Sequence, residues 1–466
     1  MDRSAQTVKE RSDHLEREGK MNRWDVVIVG GGPAGVTTAL SAKNSYHDKN
    51  VLIIRREETS LIPCGIPYVL HSLKKVENNI MPDKPLEAAG VELMVGDVVE
   101  IEPAAKVIIL RSGEKLEYDR LVMATGSTPF IPPIPGIEKK GVHLIKKEMD
   151  YLRDLKKSVE ESRRIVVIGG GFIGVEVTDE LLKEGKDVTI VEKLDSLLPL
   201  SMDEEFGTMV KEMLEAKGVR VLTGISVKEI TGEEGTDGVE LENGEKIDAD
   251  LVLVAAGYRP RLELARKTGL EINERYGIIV DEYMRTSMKG VFAVGDCAAK
   301  KHFLTGEFTK LMLASTAMAQ GRLAGSNLYE VKVIKELRGS LGTFSTKIQG
   351  TAFAAMGLTE REAKKLGVSY VVGRNETVDR HPGKLPGASS VYIKLIYAKV
   401  SHQLLGAQIR GGDSAGEMIN TLSIMMQNNM TDMQVDTMQI GTHPLLTSSP
   451  IAYPIINATV DAITKQ

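Results

Sequence analysis

Two cysteines stand in the 466 residues of the chain, and one of them has the setting of a reactive thiol. Cys64 lies in SLIPCGIPYVLHSL, Ser60 to Leu73, between Pro63 and Gly65. Ile66, Val69, Leu70 and Leu73 follow at i, i+3, i+4 spacing, which predicts an amphipathic helix with Pro67 in its first turn. A cysteine at the start of that helix meets unpaired N–H groups and the positive end of the dipole, and both favour the thiolate, the reactive form of the side chain. The second cysteine, Cys297, reads as a small packing residue.

Glycines supply a second chemistry. DVVIVGGGPAGVTTAL from Asp25 and RIVVIGGGFIGVEVTDELL from Arg164 share one form: an apolar β-branched run, then glycines, then a helical pattern. Each carries G-x-G-x-x-G, at Gly30, Gly32, Gly35 and again at Gly169, Gly171, Gly174. Such a strand, turn and helix give a tight turn, let backbone approach a pyrophosphate at a helix N-terminus, and pack the helix closely on the strand. A second strand follows in each unit, NVLII and DVTIV. The residue closing it selects the nucleotide. Glu192, after VTIV, can accept hydrogen bonds from an adenosine ribose 2′-OH and would repel a 2′-phosphate, so the second unit favours NADH over NADPH. In the first unit that position is Arg55, followed by Arg56, Glu57 and Glu58; either Glu57 or Glu58 contacts the ribose or the contact is absent.

Two further strand ends belong with the first unit. LVMATGSTP ends in a turn at Thr125 and Gly126 where backbone can lie against a cofactor. TSMKGVFAVGDCA ends at Gly295 and Asp296, a carboxylate at the C-terminal edge of a strand and so placed to bond ligand hydroxyls, and the helical LASTAMAQGRLAGSNL follows.

Positioning these residues needs several α/β units, and the length carries a prior of two to four domains. Two cysteines make no disulfide framework, and a free thiol without a secretory signal points to a reducing, cytoplasmic compartment. Residues 1–20 are charged and read as a solvated extension, with Met21 as an alternative first residue. No apolar run reaches the ~18 residues that span a bilayer, so no membrane partner is expected. A net charge of -5 with interspersed signs offers nucleic acid no basic stripe, and no CxxC or His-rich spacing suggests a metal.

In combination, the two glycine units, the ATG turn, AAGYRP at Ala255 to Pro260 and the VFAVGD strand resemble the FAD- and NAD(P)H-dependent pyridine nucleotide-disulfide oxidoreductases, from about Asp25 to the C-terminus. The resemblance implies two Rossmann-like α/β domains and a C-terminal α+β dimerisation domain. FAD segments would span 21–145 and 268–332, the NAD domain 146–267 and the dimerisation domain 333–466, with a homodimer formed through the last. It also brings Gly257 to the cofactor sites and Glu176 to the nicotinamide.

Members with two active cysteines space them C-x-x-x-x-C, but Tyr68 and Val69 stand where a second might lie. The stretch is similar to the single-cysteine branch, which holds coenzyme A disulfide reductases, NADH oxidases and peroxidases, and persulfide or polysulfide reductases. Electrons would then pass from NADH through FAD to an oxidised Cys64, which reduces a small sulfur acceptor. The alternatives are an NADH oxidase or peroxidase, or a low-turnover flavoprotein whose redox state a partner reads. Pro33 replaces the histidine common in the first glycine turn of the peroxidases. RHPGKLPG, Arg380 to Gly387, and GTHPLLTSSP, Gly441 to Pro450, lack the two tyrosines typical of coenzyme A disulfide reductases. The second of these resembles the histidine-proline segment of two-cysteine reductases, where a partner subunit supplies an acid/base histidine. That makes His443 a candidate proton donor, with Tyr453 and His381 as alternatives.

Overall fold

The structure, a computed structural model, describes residues 22–334 and 338–466. The extension expected at residues 1–20 lies outside the described residues. In the first glycine unit, β1 (Asn22–Val29) leads through the turn into α1 (Pro33–Ser45), and β2 (Val51–Arg55) returns parallel to β1, in register from Val26 with Val51 to Val29 with Ile54. Val26, Val27, Ile28, Leu52, Ile53 and Ile54 are buried, the continuous apolar run of a sheet covered on both faces. Gly35 is dictated by contact, since a Cβ there would lie 2.0 Å from the Gly30 carbonyl oxygen; at Gly174 it would lie 1.9 Å from that of Gly169. Any side chain would push the helix off its strand. β3 (Lys115–Met123) pairs on the other side of β1.

The second unit repeats the plan with β4 (Arg164–Ile168), α2 (Phe172–Lys183), β5 (Asp187–Glu192), α3 (Glu204–Glu215) and β6 (Leu251–Val254). Its sheet runs Val142–Leu144, β6, β4, β5, Arg220–Thr223, with every pair parallel. The chain then returns to the first sheet. β7 (Val291–Ala293) pairs with β3, and α4 (Ala314–Ser326) packs on α1 through Gly321 and Gly325.

The third unit is an antiparallel sheet of β8 (Phe344–Ile348), β9 (Thr351–Gly357), β10 (Tyr370–Val378), β11 (Ser390–Ala398) and β12 (Leu404–Gly411), in the order β8-β9-β12-β11-β10. α5 (Ser414–Gln427) and α6 (Pro454–Ile463) share its core, with Ile419, Leu422, Ile455 and Ala458 packed against Ile393, Leu395 and Ile409. Two α/β sheets, the first mixed, with Val98–Glu102 and Val107–Leu110 added antiparallel beside β3, and the second parallel throughout, together with one α+β unit are the fold class that the sequence leads one to expect. No helix among the described residues is long and apolar enough to cross a membrane.

A buried charge joins the second unit to the third. Lys394 of β11, with a side chain only 3% exposed, lies 2.9 Å from Asp203, 2.8 Å from Glu205 and 2.9 Å from Glu360. Asp203 precedes α3 and also accepts from Gln408 of β12 at 2.6 Å. Burial opposes ionisation of Asp203 and Glu360, but the ammonium beside them wins and holds both below the usual carboxylate range.

The amphipathic helix expected after Cys64 does not form. Residues Pro63–Gly65 and Pro67–Leu70 are two short 3₁₀ turns instead. Pro63 and Pro67 bring no N–H, so a continuous i→i−4 ladder would lack two donors four residues apart. Tighter bonds form where donors remain, from Gly65 N–H to Ile62, Ile66 N–H to Pro63 and Val69 N–H to Ile66. Ile66, Val69 and Leu70 are buried all the same. Together with Leu61 they pack in one cluster with Val175 and Leu181 of α2, so the segment holding the cysteine is covered by the core of the second unit.

Candidate active site

One cavity of about 1580 Å³ runs from the first glycine turn to the third unit. Its walls include Gly30, Gly32, Cys64, Thr125, Gly126, Glu176 and Asp296, so residues up to 266 positions apart in sequence meet in it. Gly35 is spent on helix packing. From the second glycine turn only Phe172, Ile173 and Glu176 reach this wall, while Gly169, Gly171, Gly174, Glu192 and Gly257 lie outside it.

Cys64 is held from below by Asn79. The buried amide Nδ2 donates to the Ile62 carbonyl at 3.0 Å, and the Ile62 N–H donates to the Asn79 carbonyl at 3.0 Å. A Cβ at Gly65 would lie 1.9 Å from Asn79 Oδ1, so any larger residue after the cysteine would displace the Asn79 side chain that holds the turn. The thiol itself is exposed into the cavity. Its ionisation departs from expectation: with no α-helix behind it, Cys64 is pushed up rather than down, first by the crowding of the surrounding walls and then by the Glu176 carboxylate. Asp296 adds to the rise and Lys147 opposes it.

Glu176 projects from α2 and accepts from the Thr346 hydroxyl at 2.7 Å. Burial, reinforced by Asp179 and Glu180 on the same helix, outweighs that bond and pushes its carboxyl up to about 7. Glu176 can therefore hold or release a proton near neutral pH beside the thiol. Asp296 accepts from Ser127 Oγ at 2.8 Å, and Lys147 donates to the same Ser127 oxygen at 3.0 Å. Ser127, Lys147, Asn79 and Thr346 carry no motif; their partners lie 17 to 170 positions away, and only the fold pairs them.

The two strand-closing residues behave differently. Glu192 binds its own loop, accepting from Gly170 N–H at 2.6 Å and Leu194 N–H at 2.7 Å. A carboxylate has about four acceptor positions, so two remain for ribose hydroxyls. Arg55 instead makes a two-point ion pair with Asp83, both contacts at 2.6 Å, and donates to the Glu58 carbonyl. Of the acids after it, Glu57 reaches the cavity wall.

His443 is exposed on the segment after α5 and does not line the cavity of its own chain. Leu445 N–H donates to its Nδ1 at 3.2 Å, which leaves the proton of the neutral ring on Nε2, free to be donated. His381 serves that segment: its N–H donates to the Pro444 carbonyl at 3.1 Å and its Nδ1 to the Thr447 carbonyl at 3.0 Å. Cys297 is fully buried, its thiol directed at the Met123 and Val294 carbonyls.

Comparison with known proteins gives the family of the chain. Residues 24–321 match the family described as pyridine nucleotide-disulphide oxidoreductase, and residues 343–451 match its dimerisation domain. An NADH oxidase of Methanocaldococcus jannaschii is 31% identical over 94% of this chain and 98% of its own. An NAD(P)H coenzyme A polysulfide/persulfide reductase of Pyrococcus horikoshii is 33% identical over 89% of this chain and 93% of its own. Among solved structures, the NAD-dependent persulfide reductase of A. fulgidus superposes with a TM-score of 0.88 at 31% identity, covering 95% of this chain and 83% of that one. With residues 24–321 and 343–451 matched by its two domain models and a relative similar along nearly its whole length, the chain belongs to the pyridine nucleotide-disulphide oxidoreductase family.

Proposed function

We propose that the protein takes electrons from NADH through FAD and delivers them to Cys64, which reduces a disulfide, persulfide or polysulfide. The observation that carries this reading is the single cavity in which the first glycine turn, Asp296, Glu176 and Cys64 face one another. The residues fit FAD: Gly30 to Pro33 leave the N-terminus of α1 open to a pyrophosphate, and Asp296, oriented by Ser127, accepts from hydroxyls. Bound there, FAD supplies the two-electron exchange between nicotinamide and sulfur. The N-terminus of α4, whose Leu313 to Ala317 line the same wall, favours negative charge at that end.

The chain's own chemistry is the handling of sulfur and protons. The Cys64 thiolate attacks one sulfur of the acceptor, an S–S bond forms to Cys64 and the original one breaks, and the departing sulfur leaves as an anion. That anion needs a proton. Glu176 holds one on the same wall, and His443 of a second copy brings another on Nε2. A homodimer is supported by the match of residues 343–451 to the dimerisation domain and by apolar side chains left in solvent in that unit: Leu446, Ile451, and Ile424 of α5, which are 65%, 87% and 61% exposed. Replacement of His443 by alanine should slow reoxidation of the reduced enzyme by a sulfur acceptor about 10²-fold and leave its reduction by NADH unchanged, as stopped-flow absorbance reads. An equal loss in both half-reactions would remove His443 from proton transfer.

A panel of acceptors tests the function itself. Anaerobic NADH oxidation is expected with polysulfide and low-molecular-weight persulfide, at a higher rate than with coenzyme A disulfide or glutathione disulfide. A second reading, oxygen reduction, draws on the activity named for the M. jannaschii relative and on the open face of Cys64. Turnover with oxygen and none with any sulfur compound would favour it over the first. Single-turnover reduction with no competent acceptor would favour a redox-responsive protein read by a partner.

A further inference from the structure

The two glycine turns are built on one plan, and the residue that closes the following strand lies against the same glycine in each. Gly30 N–H donates to the Ile54 carbonyl at 2.8 Å, one residue before Arg55, and Gly169 N–H donates to the Val191 carbonyl at 2.8 Å, one residue before Glu192. A Cβ at Gly31 would lie 2.9 Å from Arg55 Cδ, and a Cβ at Gly170 would lie 3.0 Å from Glu192 Cβ. Position is shared and polarity is reversed. Glu192 only accepts, and it ties its turn by taking the Gly170 N–H at 2.6 Å. Arg55 has five N–H donors and nothing that accepts.

Those donors can be assigned. Nη1 and Nη2 each donate to one oxygen of Asp83 at 2.6 Å, and Nη2 also donates to the Glu58 carbonyl. Two N–H groups are left, that of Nε and the second on Nη1. Nε is buried and has no acceptor among the described residues, in a side chain that is 8% exposed and lines the cavity. A buried donor without an acceptor is costly, and a ligand oxygen at this wall would meet it. The Asp83 carboxylate offsets the guanidinium charge, so the remaining donors suit a neutral oxygen better than a phosphate.

We propose that Arg55 reads the adenosine ribose of FAD by donating its uncommitted N–H groups to the ribose hydroxyl oxygens, in the place where the second unit presents a carboxylate that accepts from them. The end of the second strand of such a unit is where a bound dinucleotide lays its ribose. The inference rests on the first glycine unit as the FAD site. Asp83 and the Glu58 carbonyl hold the guanidinium against Gly31 and leave two donors for the ligand. Glu57, which also reaches the cavity, is not required.

The test uses the FAD-loaded full chain and a flavin dinucleotide whose adenosine ribose lacks both hydroxyls. Holoenzyme is incubated with an excess of FAD and this analogue in equal amounts until bound and free flavin have exchanged, and the bound flavin is identified by mass spectrometry. The unaltered enzyme should retain FAD over the analogue by about 10-fold. Arg55→Met should hold the two nearly equally; Asp83 is partly exposed, so its carboxylate stays hydrated in that variant. A variant that is merely loosened releases both flavins alike, so the ratio reads the hydroxyl contact and not stability. Glu57→Gln should keep the full preference. Equal retention by the unaltered enzyme overturns the proposal, as does a preference that survives Arg55→Met or is lost in Glu57→Gln. The first and last of these outcomes need no change at Arg55, so they decide even where Arg55→Met does not fold. Unaltered enzyme that holds neither flavin would overturn the FAD reading itself, so the two failures are distinguishable.

Discussion

Cys64→Ser should lose sulfur-acceptor turnover by about 10³-fold or more while still reducing artificial dyes at the rate of the unaltered enzyme. The nucleophile is removed outright, and a serine hydroxyl at neutral pH cannot form the S–S bond that the acceptor half-reaction requires. Hydride delivery from NADH calls on no thiol, so the first half-reaction should persist. Stopped-flow measurement of each half separates them. Sulfur turnover at the wild-type rate in this variant would reduce the cysteine to a structural part of a tight turn. Folding offers no escape from the test: the side chain is exposed, the change is nearly isosteric, and Asn79 and Gly65 hold the turn without it.

The largest effect on stability is expected at Lys394. Lys394→Met leaves Asp203, Glu205 and Glu360 around a methyl thioether, three acids whose mutual repulsion is no longer offset. Breaking a buried charge cluster in this way costs about 3–5 kcal/mol. The pH dependence follows from the direction of the shifts. Asp203 and Glu360 have folded values below their unfolded ones, so their contribution is present above the ordinary carboxylate range, near pH 4, and is lost as pH falls through the folded values. The deficit of the variant should therefore be largest at neutral pH and shrink in acid. Urea unfolding of the FAD-loaded proteins at both pH values checks it, and a deficit independent of pH would show that lost packing, not charge, is responsible.

The glycine units were legible because every requirement they encode is local. A strand, a turn and a helix within some twenty residues fix one another, and the contact that forbids a side chain at Gly174 is with Gly169, five positions back. The Cys64 segment shows the limit of that reading. Ile66, Val69 and Leu70 satisfy helical spacing, yet 3₁₀ turns bury the same side chains, and spacing alone does not separate the two where prolines remove donors. The error propagated to the electrostatics, since a thiol without a helix behind it is governed first by burial and then by Glu176, both of which depend on tertiary structure. Lys147, Thr346 and Lys394 were out of reach for the same reason. Their partners lie 20, 170 and 34 to 191 positions away in the chain, and a lone lysine or threonine has no spacing to reveal them.

The Cys64 turn leans on a neighbour that precedes neither it nor its own sheet in the chain. Leu61, Ile66, Val69 and Leu70 are covered by side chains of α2, and Glu180 of α2 accepts from both the backbone N–H and the hydroxyl of Ser72, at 2.7 and 2.8 Å. For protein engineering this fixes where the molecule can be cut. A chimera that exchanges the second unit for that of a relative would, if spliced only at its own sheet boundaries, strip the cover from the Cys64 turn and strand a buried carboxylate. The graft that keeps working is one that travels with residues 60–80 of its donor.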